Sequence, residues 1–287
     1  MNESAIEAAP IKKPRQPNPV YDHLTRRRKW PSVRVAAKLC IALNLLGAIV
    51  LAAIWQPDAV VGNASTIHTA FPSVVTIELS LVMAIISPFI SAAVAAVGTA
   101  RFANDEALAL LMLGKFTPAT VVRGHFEAAV FRLRLLWVAC FGLLLPLWVA
   151  TTILASVIAV VFAGGGVGDV DLRLMLIVSV PLAGVIGFAA LVGVILNWLA
   201  ICIGIWSGLR TAKPSHSIAI SLTGVLIVLV SISFLLYLAY GFGWSPPDIL
   251  GILLKQFAVT LIAGAYPVIG FWLLRRAEAR LSRPIDI

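Results

Sequence analysis

The chain has 287 residues, 60% of them hydrophobic and 12% charged, with a mean hydropathy of +0.99. Soluble domains are nearer half apolar and a quarter charged, so there is too little polar surface here to cover a water-soluble fold. The net charge of +9 would point to nucleic acid on a soluble protein, but in a membrane chain it has a topological cause, and no nucleic-acid partner is expected.

Residues 1–34 are polar and basic, with Pro10, Pro14, Pro17 and Pro19 among them. A secretory signal peptide does not open in this way, so the first apolar segment is expected to stay in the chain. Six apolar segments follow, at 35–55, 74–98, 135–163, 174–206, 218–240 and 257–274. Crossing a ~30 Å hydrocarbon layer takes about 20 residues at about 1.5 Å of rise each, which is the length of these segments. The fourth is long enough to tilt, to bend at Pro181 or to project into the cytoplasm. The expected fold is therefore an all-α integral membrane protein of about six transmembrane helices.

Lysine and arginine set the orientation, because short loops rich in them stay cytoplasmic. With the N-terminus inside, only Arg173 and Lys255 of the 22 basic residues fall on the outer side. Both termini are then cytoplasmic, including the basic tail 275–287. The outer connections carry Asp58, Asp169, Asp171 and Asp248 with the turn formers Gly164, Gly165, Gly166, Gly168, Pro246 and Pro247. Trp30, Trp55 and Trp244 lie near span ends, where an indole suits the interface. The stretch 248–257 is apolar but too short to cross, which suggests a re-entrant or interfacial helix.

Within the spans, Cys40, Cys140 and Cys202 have no metal-ligand spacing and read as small packing residues. Glu78, Lys38 and Lys255 lie near span ends and are able to snorkel, with Glu78 kept as a functional candidate. Asn44, Ser87, Ser91, Asn197 and Ser231 are neutral polar groups expected to hydrogen-bond between helices, or otherwise to contact substrate; Asn44 and Asn197 are the candidates carried forward. Gly204 and Gly208 have GxxxG spacing, a pattern that arises readily by chance in a glycine-rich chain.

Catalytic motifs are missing. The one Gly-Lys pair, Gly114-Lys115, precedes Phe116 and so does not complete a phosphate loop. His23, His68, His125 and His216 lie outside the spans and form no zinc pair. No catalytic residue, metal or cofactor is expected on this chain.

Segment 101–134 is the longest interior connection. Asp105 and Glu106 precede Ala107, Leu108, Leu110, Leu111 and Leu113, a helix-forming run with acids where the helix dipole favours them. Gly114 can end it. Thr117-Pro118 then starts a second helix, with Thr117 as N-cap and Pro118 first, running through Val121, Arg123 and Glu127 into the third span. Such a loop is either an amphipathic connector resting on the membrane or a docking platform for a cytoplasmic protein.

At this point the sequence resembles the type 2 ABC exporter permeases. Glu106, Leu110, Leu111, Leu113, Phe116, Thr117, Val121 and Gly124 follow that family's loop pattern, whereas Gly114, Lys115, Thr120 and His125 depart from it. Asn18-Pro19-Val20 with Leu24 and Arg26 to Arg28 is similar to its N-terminal interfacial helix, and Ser207 to Ala212 with Ala219 to its turn between spans four and five. The resemblance implies a plasma-membrane transport subunit that docks a separate ATP-binding subunit, which would hold ATP and Mg, and pairs with a second permease half. The docking positions it implies are Glu106, Leu110, Leu111, Thr117, Arg123 and Gly124. A membrane anchor that recruits a cytoplasmic partner without transport predicts the same topology and platform.

Overall fold

The computed structural model describes residues 18–25, 32–54, 65–104, 116–162, 172–211, 213–241 and 249–282. The regular elements among them are all helices: α1 (Pro19–Thr25), α2 (Val33–Ile54), α3 (Ser65–Asn104), α4 (Pro118–Gly142), α5 (Leu144–Phe162), α6 (Leu172–Thr211), α7 (Pro214–Gly241) and α8 (Ile249–Leu281). Helices are what an apolar chain needs in lipid, since each pairs its own backbone N–H and C=O groups. Among the described residues, five stretches are long and apolar enough to cross a membrane: Val33–Ile54, Phe71–Ala103, Pro118–Val160, Arg173–Thr211 and Pro214–Phe234. They mark an all-α, multi-pass membrane protein. Large apolar side chains such as Ile41, Ile49, Val180, Ile227 and Phe271 accordingly point outward.

The last apolar segment of the sequence lies within α8, which is one helix from Ile249 to Leu281. Residues 249–257 open that helix instead of forming a separate re-entrant element. No proline interrupts the chain there before Pro267, so nothing forces a break. The expected tryptophan belts at Trp30, Trp55 and Trp244 and the acidic and glycine-rich outer connections, including Asp58, Asp169, Asp171 and Asp248, lie outside the described residues.

The third apolar segment does not run as a single helix. Its helix starts at Pro118, as the Thr117-Pro118 pair predicts, but α4 stops at Gly142 and α5 starts at Leu144. Pro146 explains the break: its ring would clash with the carbonyl four residues back, at Gly142, and it has no N–H to bond there. Asn44 of α2 repairs the gap. Its Nδ2 donates to the Phe141 carbonyl at 2.8 Å, and its Oδ1 accepts from the Leu145 N–H at 2.8 Å.

Helix α6 packs along α3, and α7 and α8 flank α6, while α2 and α5 cover the other side. Gly204 and Gly208 sit at the α3–α6 crossing. A Cβ on Gly204 would collide with the Ala92 carbonyl and come within 2.8 Å of Ala95 Cβ. On Gly208 it would lie 2.8 Å from Thr99 Cβ and 2.9 Å from the Ala96 carbonyl. The GxxxG pair is therefore the close-contact seam of the bundle and not a chance pattern. Two turns from Gly204 along α6, Asn197 Nδ2 donates to Ser87 Oγ at 3.0 Å, and Ser91 Oγ donates to Asn197 Oδ1 at 2.7 Å. All three side chains are buried, so the pair of helices is joined by small-residue contact and by an internal polar clasp.

Candidate functional site

Several helices are longer than a bilayer is thick. The α4–α5 stretch Pro118–Val160 covers 43 residues, about 65 Å at full helical rise, roughly twice the hydrocarbon depth. α3 and α6 have 40 residues each, about 60 Å. At one end of the bundle α1, the start of α4 and the C-terminal ends of α3, α6 and α8 meet. A single buried cluster there joins Val20 of α1, Phe102 of α3, Val121 and Val122 of α4, Leu209 of α6 and Leu281 of α8. Arg101, Arg210 and Arg280 lie in the last turns of α3, α6 and α8, where the negative helix end favours a cation.

This end carries a built platform of α1 and the first half of α4. Thr117 caps α4, its hydroxyl accepting from the Thr120 N–H at 3.3 Å, with Pro118 in the first turn. Asn18 opens α1 by accepting from the Val20 N–H at 3.0 Å and reaches across to donate to the Thr120 carbonyl at 2.9 Å. Val20 is 1% exposed because it sits on Gly124, where an added Cβ would lie 2.7 Å from Val20 Cβ. Tyr21 meets Phe131 edge to face at 5.9 Å, completing the clamp.

Gly124→Val is expected to unseat α1 without disturbing the spans. The check is maleimide labelling of Val20→Cys in a background with the three native cysteines replaced. Position 20 should be protected with Gly124 present and labelled rapidly in the double variant; equal protection in both would contradict the clamp.

The sequence candidates take distinct places on this platform. Thr117 and Arg123 are exposed, and Arg123 Nε donates to Glu127 Oε1 at 2.9 Å, an exposed pair of small energetic worth. Gly124 is buried as the seat for Val20. Glu106, Leu110 and Leu111 lie outside the described residues. Sequence reasoning missed two buried groups. Arg134 stacks on the Phe131 ring at 3.6 Å, and its three guanidinium nitrogens have no hydrogen-bond partner. His125 packs on Phe102 with ring centroids 4.5 Å apart and its Nε2 unpartnered.

Burial, with a smaller push from the Arg132 charge, lowers the His125 pKa from 6.5 to about 4. A pKa depressed on folding means that the neutral ring is tolerated above pH 6.5 and that stability is lost as pH falls toward 4. The loss reaches roughly 3 kcal/mol at the acid end. Thermal midpoints in mild detergent should fall more steeply over that window for the native chain than for His125→Leu. Parallel curves would contradict the assignment.

The intramembrane candidates are structural in their contacts. Asn44 and Asn197 spend their amides on the helix break and the α3–α6 clasp, and Ser231 pairs with the Tyr266 hydroxyl at 3.1 Å. Glu78 lies on the exposed side of α3, away from the bundle interior, where a proton or ion relay would be built. The turn between α6 and α7 is tied down by Ser207 and Ser217, whose hydroxyls are 3.2 Å apart, and by Ser217 Oγ donating to the Ala96 carbonyl at 3.5 Å. Among the described residues, no cluster of His, Cys, Asp and Glu could hold a metal ion. No protein-family model, curated protein or solved structure matches the chain.

Proposed function

We propose that this chain is the permease subunit of an ATP-driven exporter in the plasma membrane, coupling a separate ATPase to substrate movement. The observation that carries the reading is the platform. α1 is clamped on α4, and α4 continues from its exposed cap at Thr117 to Gly142 as one helix. A force applied at the exposed edge, by Thr117 and Arg123, would pass along a rigid rod to the break that Asn44 bridges. ATP and Mg would bind on the partner, since this sequence has no phosphate loop.

Six crossings with both termini cytoplasmic fit this role. Val20 and Leu281 share one buried cluster, so the two described ends of the chain meet at the same end of the bundle, as an even number of crossings requires. The basic residues gathered there favour the cytoplasmic side. Within this scheme Glu106, Leu110 and Leu111 join Thr117 and Arg123 in docking, and Gly124 serves by holding α1. A second membrane half, of the same or a related chain, would complete the transporter.

The test is purification of the tagged chain in mild detergent, alone and as Leu111→Asp and Arg123→Glu. A phosphate-loop ATPase should co-purify with the native chain and be lost from both variants. A folded, monodisperse native chain that brings down no ATPase would refute the reading and favour an anchor that transports nothing.

A further inference from the structure

A groove of about 450 Å³ runs over α6 between the first half of α7 and α8, lined by Ile203, Trp206, Ile220, Thr223, Ile227 and Leu273 among others, none of them charged. The crossing stretches Arg173–Thr211 and Pro214–Phe234 meet at the turn between α6 and α7. That turn therefore marks the edge of the apolar layer, and the groove leads from it into the layer, one to three helical turns deep. Its volume lies within the roughly 300–1,000 Å³ typical of ligand clefts.

The mouth of this groove is charged. Arg210 is exposed one turn beyond Trp206 on α6, and its guanidinium lies 5.1 Å from the centre of that indole, which holds the cation beside the groove wall. Arg276, one turn beyond Leu273 on α8, lies over Trp272 at 4.9 Å. Lys213 in the turn is exposed, as is His216, which precedes Ala219 and Ile220 by one turn on the same face of α7. Among the described residues neither Arg210 nor Arg276 is ion-paired, and the first turn of α7 holds no acid. The order from the apolar layer outward is thus an apolar floor, an indole and an unneutralised cation. Acyl chain, interface and phosphate follow one another in the same order in a phospholipid.

We propose that this groove binds one anionic phospholipid, an acyl chain lying between α7 and α8 on the α6 floor and the phosphate held at Arg210, with Lys213 and Arg276 adding to the attraction. Basic pockets between membrane helices recognise anionic head groups in this way. A zwitterionic lipid would bring an ammonium against the same cations, and an uncharged amphiphile would leave them unneutralised. A soluble anion would leave the apolar floor unused. The site rests on the groove and its charges and does not require the platform to dock an ATPase, so the two readings fail separately.

The full chain is reconstituted in nanodiscs of phosphatidylcholine carrying a rising fraction of phosphatidylglycerol brominated in its acyl chains. A parallel series uses brominated phosphatidylcholine instead. Heavy-atom quenching of Trp206 is read as the difference between each form and the same form with Trp206→Phe. The expected result is quenching that saturates at a low fraction of brominated phosphatidylglycerol and is reversed by the unlabelled lipid, with brominated phosphatidylcholine giving no such saturation. Arg210→Gln should weaken the titration roughly fivefold, and Thr223→Phe, which fills the groove from an exposed position, should abolish it. Arg34→Gln, at the same end of the bundle but on α2, should titrate like the native chain. Quenching that follows bulk bromine, or that saturates alike for both lipids, would overturn the proposal. Equal weakening by Arg34→Gln and Arg210→Gln would also overturn it, because the attraction would then be diffuse. Arg210 is exposed, so Arg210→Gln decides the matter even if Thr223→Phe does not fold, and a native titration in that variant would contradict the site.

Discussion

Alanine at both Gly204 and Gly208 is expected to prevent recovery of a folded, monodisperse chain. Each added methyl would meet α3 within 3 Å at more than one atom, and at both positions these include backbone carbonyls that cannot rotate away. The helices would have to separate. Overpacking of this kind costs roughly 1–3 kcal/mol per site, and separation would also stretch the bonds that Asn197 makes to Ser87 and Ser91. Gly184, Gly187 and Gly193 on the same helix provide the control, because a Cβ there meets nothing within 4 Å. Alanine at those three positions should leave the thermal midpoint unchanged or raise it, as the helix propensities of glycine and alanine differ by about 1 kcal/mol. The comparison is made by size-exclusion profile and thermal unfolding in one detergent. A Gly204→Ala/Gly208→Ala chain as stable as the controls would contradict the seam.

The second large effect is expected at Asn44. Asn44→Leu removes both bonds that bridge the α4–α5 break and leaves the Leu145 N–H without its partner, while the Phe141 carbonyl keeps the Leu143 N–H. Side-chain hydrogen bonds between membrane helices average only about 0.6 kcal/mol, because partners are also found when the helices separate. A backbone N–H stranded in lipid beside a proline has no such alternative and costs about 1–3 kcal/mol, against less than about 1 kcal/mol if Asn44 were an ordinary interhelical contact. Restoring the break itself with Pro146→Ala should recover part of the loss, since an alanine N–H can bond back to Gly142. Thermal midpoints of the two single variants and the double variant would show this as a positive coupling, and strict additivity would argue against it.

Local signals in the sequence carried much of this fold. The apolar segments match helices because length and hydropathy are properties of each stretch alone. Thr117-Pro118 marks a helix start by chemistry confined to four residues. What needed a partner was hidden. Gly204 and Gly208 gain meaning only from Ala92, Ala95, Ala96 and Thr99 on α3, a row of small residues that would have strengthened the motif had the two helices been compared. Pro146 is a local break signal that the reading of 135–163 as one span did not use, and the role of Asn44 depended on α2 lying against that break. Gly124 entered the sequence reading only as a docking position implied by the family resemblance. That it receives Val20, more than one hundred residues earlier, was hidden, because α1 folds back over a helix distant in sequence. Arg134 and His125 were counted with the cytoplasmic charges and loops, and burial of both follows from that same fold-back and from α3.

The account turns on one end of the bundle being a cytoplasmic docking face. The most direct measurement is photocrosslinking in intact cells, with benzoylphenylalanine at Ala119 on the exposed first turn of α4 and, separately, at Leu176 at the other end of the molecule. An adduct to a phosphate-loop ATPase from position 119 and none from position 176 is the expected result. No ATPase adduct from position 119, or one from position 176 alone, would contradict it.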